Sequence, residues 1–111
     1  MSTNAFLIQS EGLGRGDDQL GMMLMANFLR LLGEIQNKPA RLLFWNTGVK
    51  LVCENSRVLD HLNKLEESGV ELLACTTCLE YFDLQEKQKV GKPTNMLKSI
   101  QSLMDEQVIT L

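Results

Sequence analysis

Two cysteines, Cys75 and Cys78, stand three residues apart in VELLACTTCLEYFDL, directly after a short apolar run. A thiolate is the form of cysteine that attacks sulfur or selenium and binds metals. A thiol at a strand end, just before a helix, meets unsatisfied backbone N–H groups that favour thiolate and lower its pKa from about 8.5. If a helix begins there, the spacing puts Cys78 one turn from Cys75. Such a pair can react together, hand a sulfur atom across, close to a disulfide, or pack as two inert thiols. Thr76 and Thr77 leave the loop uncluttered. Their hydroxyls can cap the helix or hydrogen-bond a thiolate.

Other cysteine chemistries need partners that this chain does not offer at motif spacing. A structural zinc site takes four ligands. The remaining candidates, Cys53 and the single His61, lie elsewhere in the sequence, so no metal site is expected. A cysteine hydrolase needs a histidine base, and His61 falls mid-helix between Asp60 and Leu62. A thioredoxin-like pair would follow an early strand, whereas this pair follows the third.

The elements that must position the thiols are legible as alternating patterns. AFLIQS (Ala5–Ser10), ARLLFWN (Ala40–Asn46), VELLA (Val70–Ala74) and QVITL (Gln107–Leu111) are near-continuous apolar runs, the pattern of strands covered on both faces. Between the first two, Leu20, Met23, Leu24, Phe28, Leu31, Leu32 and Ile35 form an apolar stripe at helical spacing. Met22, Met25 and Leu29 add apolar surface beside it, which predicts a helix covered on two sides, as at a subunit interface. A second helix is expected from Asn55 and Ser56, with Val58, Leu59, Leu62 and Leu65 as its stripe and Gly69 as its left-handed end. A short helix starts within CTTCLEYF. The last helix follows Pro93 and Thr94, with Met96, Leu97, Ile100, Leu103 and Met104 on one side. A further short strand fits around Lys89–Gly91.

This order predicts a three-layer α/β/α sandwich with a mainly parallel sheet of four or five strands and right-handed crossovers. Ligands of such sheets bind at the carboxyl ends of the strands. Three loops leave those ends: EGLGRGDD (Glu11–Asp18), TGVKLVCE (Thr47–Glu54) and CTTC. In the first, Gly14 and Gly16 can let backbone N–H groups approach an anion, and Arg15 can contact it. The spacing is neither a dinucleotide fingerprint nor a P-loop. The same residues also make an ordinary tight turn, and Asp17 and Asp18 oppose a highly charged phosphate. Lys50 in the second loop is either a rim charge or simply solvated. Cys53 is expected to be a half-buried structural cysteine.

The chain's 111 residues suit one domain spanning 1–111. A formal net charge of −3 with scattered basic residues does not favour nucleic acid. No apolar stretch approaches the roughly 20 residues that cross a bilayer. The segment MSTNAFLIQSEG has neither the basic region nor the apolar length of a signal peptide. Free thiols in such a chain suit a reducing, cytoplasmic setting.

Four segments, GLGRGDDQLG, FWNTGVKLVCENS, GVELLACTTCLEYFDL and VGKPTNM, together resemble the DsrE/DsrF-like sulfur-relay family. Within it they are most similar to the C-terminal domain of YedF-type, sulfurtransferase-like selenium-metabolism proteins. The resemblance runs from Ala5 to Leu111. It implies a parallel α/β sandwich that forms trimers or hexamers, uses no cofactor, and accepts persulfide sulfur from a small TusA-like carrier. GVELLAC places Cys75 at the acceptor position of the relay relatives, and Cys78 belongs to the two-cysteine form of the selenium-associated branch. YedF-type proteins usually carry an N-terminal TusA-like domain, which this sequence does not contain. The expected function is therefore a sulfur or selenium carrier or transferase. The alternatives are an oligomeric module binding a small anion or nucleotide-like ligand, and a dithiol redox switch.

Overall fold

The computed structural model describes residues 4–111. Five strands, β1 (Asn4–Ile8), β2 (Arg41–Phe44), β3 (Glu71–Cys75), β4 (Lys92–Thr94) and β5 (Gln107–Thr110), form one sheet in the order β4-β3-β2-β1-β5. Every pairing is parallel, with Leu7 beside Leu43 and Leu43 beside Leu73. Four α-helices connect them: α1 (Asp18–Leu32), α2 (Leu59–Glu67), α3 (Thr76–Tyr81) and α4 (Met96–Asp105). The all-parallel five-stranded sheet bears out the expected fold class.

Side chains alternate across the sheet because successive residues of a strand point to opposite faces. Phe6 meets Phe28 of α1 with ring centroids 5.6 Å apart, and α1 packs beside α2. Ile8, Leu42, Phe44, Leu72 and Ala74 join Met25, Leu29, Leu62 and Leu65 in the principal core. On the opposite face α4 runs over Arg41, Glu71 and Leu73, where it lines a groove with them. Ala5, Leu7 and Leu43, all buried, belong to this second face. Strands buried from both sides explain why their sequences read as unbroken apolar runs.

The first helix is rotated from its sequence stripe, of which only Leu32 is buried and Phe28 half-buried against the core. Leu20, Met23, Leu24, Leu31 and Ile35 are exposed, while Gly21, Met25, Leu29 and Leu32 are buried. The deciding contact is made by glycine. Leu13 N–H donates to the Gly21 carbonyl at 3.0 Å, and a Cβ on Gly12 would stand 2.9 Å from the Gly21 carbonyl carbon. Only two glycines permit that approach, and it fixes which apolar side of α1 meets the sheet.

Three other boundaries differ from expectation. The second helix begins at Leu59; Asn55 has a φ of 71° and Ser56 Oγ instead accepts the Val58 N–H, so neither caps the helix. The short fourth strand lies at Lys92–Thr94, just past Gly91, whose φ of 72° turns the chain into the sheet. The segment read as a loop after β2 is a 3₁₀ helix, Asn46–Val52. Within it Gly48 lies against the backbone of Ile8 and Ser10, which locks the segment over the ends of β1 and β2. No helix among the described residues is long and apolar enough to cross a membrane.

Candidate functional site around Cys78

Cys75 is the last residue of β3 and the N-cap of α3, with φ −62° and ψ 122°. Its extended backbone ends the strand, and Thr76 takes up the helix. Cys75 is 2% exposed. Cys78, in the first turn of α3, is only partly covered. Its Sγ accepts the backbone N–H of Asn46 at 3.0 Å.

Asn46 makes this bond through an unusual backbone. Its φ is 53°, in the left-handed region that few residues other than glycine and asparagine enter. The Asn46 side chain sustains the turn by accepting the Thr47 N–H at 2.8 Å through Oδ1. The chain thus reverses at the end of β2 and aims a main-chain donor at a sulfur on a neighbouring connection.

An open pocket of about 510 Å³ surrounds Cys78, lined by Trp45, Asn46, Thr77, Cys78, Tyr81, Phe82 and Met96. Three of the seven lining residues are aromatic. Tyr81 and Phe82 meet edge to face at 5.2 Å, and Lys50 Nζ lies 4.8 Å from the Phe82 ring centroid. The Trp45 indole N–H is buried without a partner among the described residues. A soft, polarizable group suits such a setting, because sulfur makes favourable contacts with aromatic rings.

Burial pushes the Cys78 thiol up, the neighbouring Cys75 pushes the same way, and the Asn46 N–H pulls it down. Burial wins. The third cysteine, Cys53, is 1% exposed rather than half-buried, donates to the Val49 carbonyl at 3.2 Å, and is likewise pushed up by burial.

The remaining expected site residues divide into two groups. Thr77 lines the thiol pocket and Thr76 lies half-buried beside Cys75. Lys50 lies over the Phe82 ring and does not itself line the pocket. Gly14, Arg15 and Gly16 are exposed, and Gly14 and Gly16 have φ of 82° and 124°. Gly14 borders a separate pocket of about 300 Å³ that also carries Glu11, Asp17 and Asp18. The two pockets share no residue. Asp17 also caps α1, accepting the Leu20 N–H at 2.8 Å, so the first loop serves as a helix start. Asn46, Trp45, Tyr81, Phe82 and Met96 complete the thiol pocket without having been expected there. For Asn46 a signal exists: an asparagine followed by Thr-Gly at a strand end is a turn sequence.

The same fold occurs in solved structures. The ychN protein from E. coli is 14% identical, with a TM-score of 0.76 over 100% of both chains. A protein of unknown function from Methanobacterium thermoautotrophicum is 16% identical, with a TM-score of 0.71 over 97% of each chain. A conserved protein of unknown function from Bacteroides thetaiotaomicron is 14% identical, with a TM-score of 0.65 over 98% of this chain and 95% of its own. No protein family and no curated protein sequence matches the chain. At these identities the likeness establishes the DsrE-like fold.

Proposed function

We propose that this protein carries sulfane sulfur as a persulfide on Cys78, in the manner of a sulfur carrier or sulfurtransferase. The observation that carries the reading is the Cys78 Sγ, partly exposed in an aromatic pocket and held by the Asn46 N–H. Cys75 occupies the position that the sulfur-relay resemblance assigns to the acceptor, yet it is covered. We therefore assign the acceptor role to Cys78 and a supporting role to Cys75. In the transfer, the Cys78 thiolate attacks the terminal sulfur of a donor persulfide. A new S–S bond forms on Cys78, the donor's S–S bond breaks, and the donor leaves as its thiolate. The Asn46 N–H stabilises the attacking Cys78 thiolate, since a hydrogen bond to an ionised acceptor is stronger than a neutral one.

The two-cysteine form of the motif supports placement near the selenium-associated YedF branch, with a TusA-like protein as donor. The exposed apolar residues of α1 support assembly into a trimer or hexamer. The anion or nucleotide-like alternative has the three carboxylates of the glycine-loop pocket against it.

The test is loading of Cys75→Ser, which leaves Cys78 as the one thiol of the pair, with glutathione persulfide followed by peptide mass mapping. One added sulfur on Cys78, absent in Cys78→Ser, is the expected result. A reduced, folded chain whose Cys78 alkylates readily but gains no sulfur refutes the assignment.

A further inference from the structure

Cys75 is a nucleophile that the carrier role does not use. It is buried at the end of β3 and lies close to Cys78, with no disulfide between them. Cys78 lines the pocket and Cys75 does not, so a donor reaches Cys78 from the pocket while Cys75 stays covered.

We propose that the pair forms a persulfide-reducing site, in which Cys75 resolves the Cys78 persulfide and releases its outer sulfur as sulfide. This rests on the carrier reading of Cys78. Cys75 Sγ attacks Cys78 Sγ, the inner sulfur of the persulfide. The Cys75–Cys78 S–S bond forms, the bond between Cys78 Sγ and the outer sulfur breaks, and hydrosulfide leaves. The Cys75 proton departs with it, so the products are one disulfide and one H2S. The outer sulfur is reduced and the two cysteine sulfurs are oxidised. A dithiol reductant from solution then restores both thiols.

The backbone does not hold the pair at regular helical spacing. Two residues three apart on a regular helix hold their Cβ atoms about 5–6 Å apart, whereas a disulfide needs roughly 3.5–4.5 Å. Cys75 is not on the regular helix. Its extended N-cap conformation frees its Cβ from helical spacing, and only Thr76 and Thr77 lie between the two.

The experiment treats the reduced protein with glutathione persulfide, without added reductant, and follows sulfide and protein mass together. The expected result is one sulfide for each Cys78 loaded and a Cys75–Cys78 disulfide in the product. In Cys75→Ser and Cys75→Ala the Cys78 persulfide persists. Its sulfide release slows by about a hundredfold or more, because a neighbouring thiol acts at high effective concentration. Wild-type protein that keeps a stable Cys78 persulfide, with no sulfide and no disulfide, overturns the proposal and leaves the carrier reading intact. Failure of Cys78 to take up sulfur in wild type and both variants overturns the two together. Sulfide released by Cys75→Ser as a glutathione adduct forms on Cys78 places the reduction at the first attack and also overturns it. The wild-type arm decides the matter even if a Cys75 variant does not fold.

Discussion

Asn46 donates its backbone N–H to Cys78 Sγ at 3.0 Å, joining the end of β2 to the first turn of α3. The donor is main chain, so what the asparagine side chain contributes is the turn that aims it. Asn46→Gly keeps the positive φ and is expected to preserve both stability and Cys78 reactivity. Asn46→Ala must hold a conformation costing about 1–2 kcal/mol for an ordinary residue, and it loses the Oδ1 bond to Thr47. It should unfold at lower denaturant, and its Cys78 should load with persulfide more slowly at neutral pH. Equal loading by the two variants would remove the N–H from the mechanism.

Reactivity and stability should respond to alkali in opposite directions. Burial raises the thiols of both Cys78 and Cys53. Between the unfolded thiol pKa, about 8.5, and the higher folded values, the folded chain binds more protons than the unfolded one. Stability is therefore full below the unfolded pKa and falls as pH rises through the folded ones. Alkylation of Cys78 should accelerate over the same range as thiolate appears. Urea unfolding at stepped pH reads the first effect and iodoacetamide rates read the second. Cys53→Ala should flatten part of the alkaline loss while leaving the Cys78 alkylation profile in place.

Gly48 and Gly14 should behave differently when given a methyl group. A Cβ on Gly48 would collide with the Ile8 carbonyl oxygen, and Ile8 and Ser10 backbone atoms crowd it at 3.2 and 3.4 Å. Gly48→Ala should cost about 3 kcal/mol, and the displaced 3₁₀ segment should take Asn46 away from Cys78. Gly14→Ala meets open space, and only its φ of 82° opposes the substitution. Its cost should be about 1 kcal/mol, with persulfide loading unchanged. Impaired loading in a stable Gly14→Ala protein would return the first loop to the sulfur site.

The exposed side of α1 gives a test of assembly. Met23 is 60% exposed and Leu24 44%, and neither supports the core. Met23→Glu with Leu24→Lys should keep the circular dichroism of the wild type and reduce the sedimentation mass to that of a monomer. A wild-type chain that sediments as a monomer at micromolar concentration would refute the oligomer.

Much of the fold could be read because the central strands β1 and β2 are covered twice. Ala5, Leu7 and Ile8 or Leu42, Leu43 and Phe44 leave no polar alternation, and that pattern has few structural solutions. The inward side of α1 was not legible. Leu24 and Met25 are both apolar, and only the approach of Gly12 to Gly21 selects Met25 for the core. The thiol pair was visible as spacing, but which thiol is open was not. That depends on Asn46 and Met96, which are distant in sequence and carry no mark of chemistry. The 3₁₀ helix was missed because Asn-Thr-Gly signals a turn, and a single turn repeated twice leaves the same local signature.

The sheet order also sets a schedule for synthesis. Strands β1 to β4 can assemble in the order in which they leave the ribosome, each new one joining the edge made by the last. The opposite edge of β1 has no partner until Gln107–Thr110 emerge and pair along it. A nascent chain therefore presents an apolar edge, Ala5–Ile8, for nearly the whole of translation. Such an edge is a template for pairing with other chains, so stalled or truncated products should be the aggregating species, and β5 the segment whose arrival ends the risk.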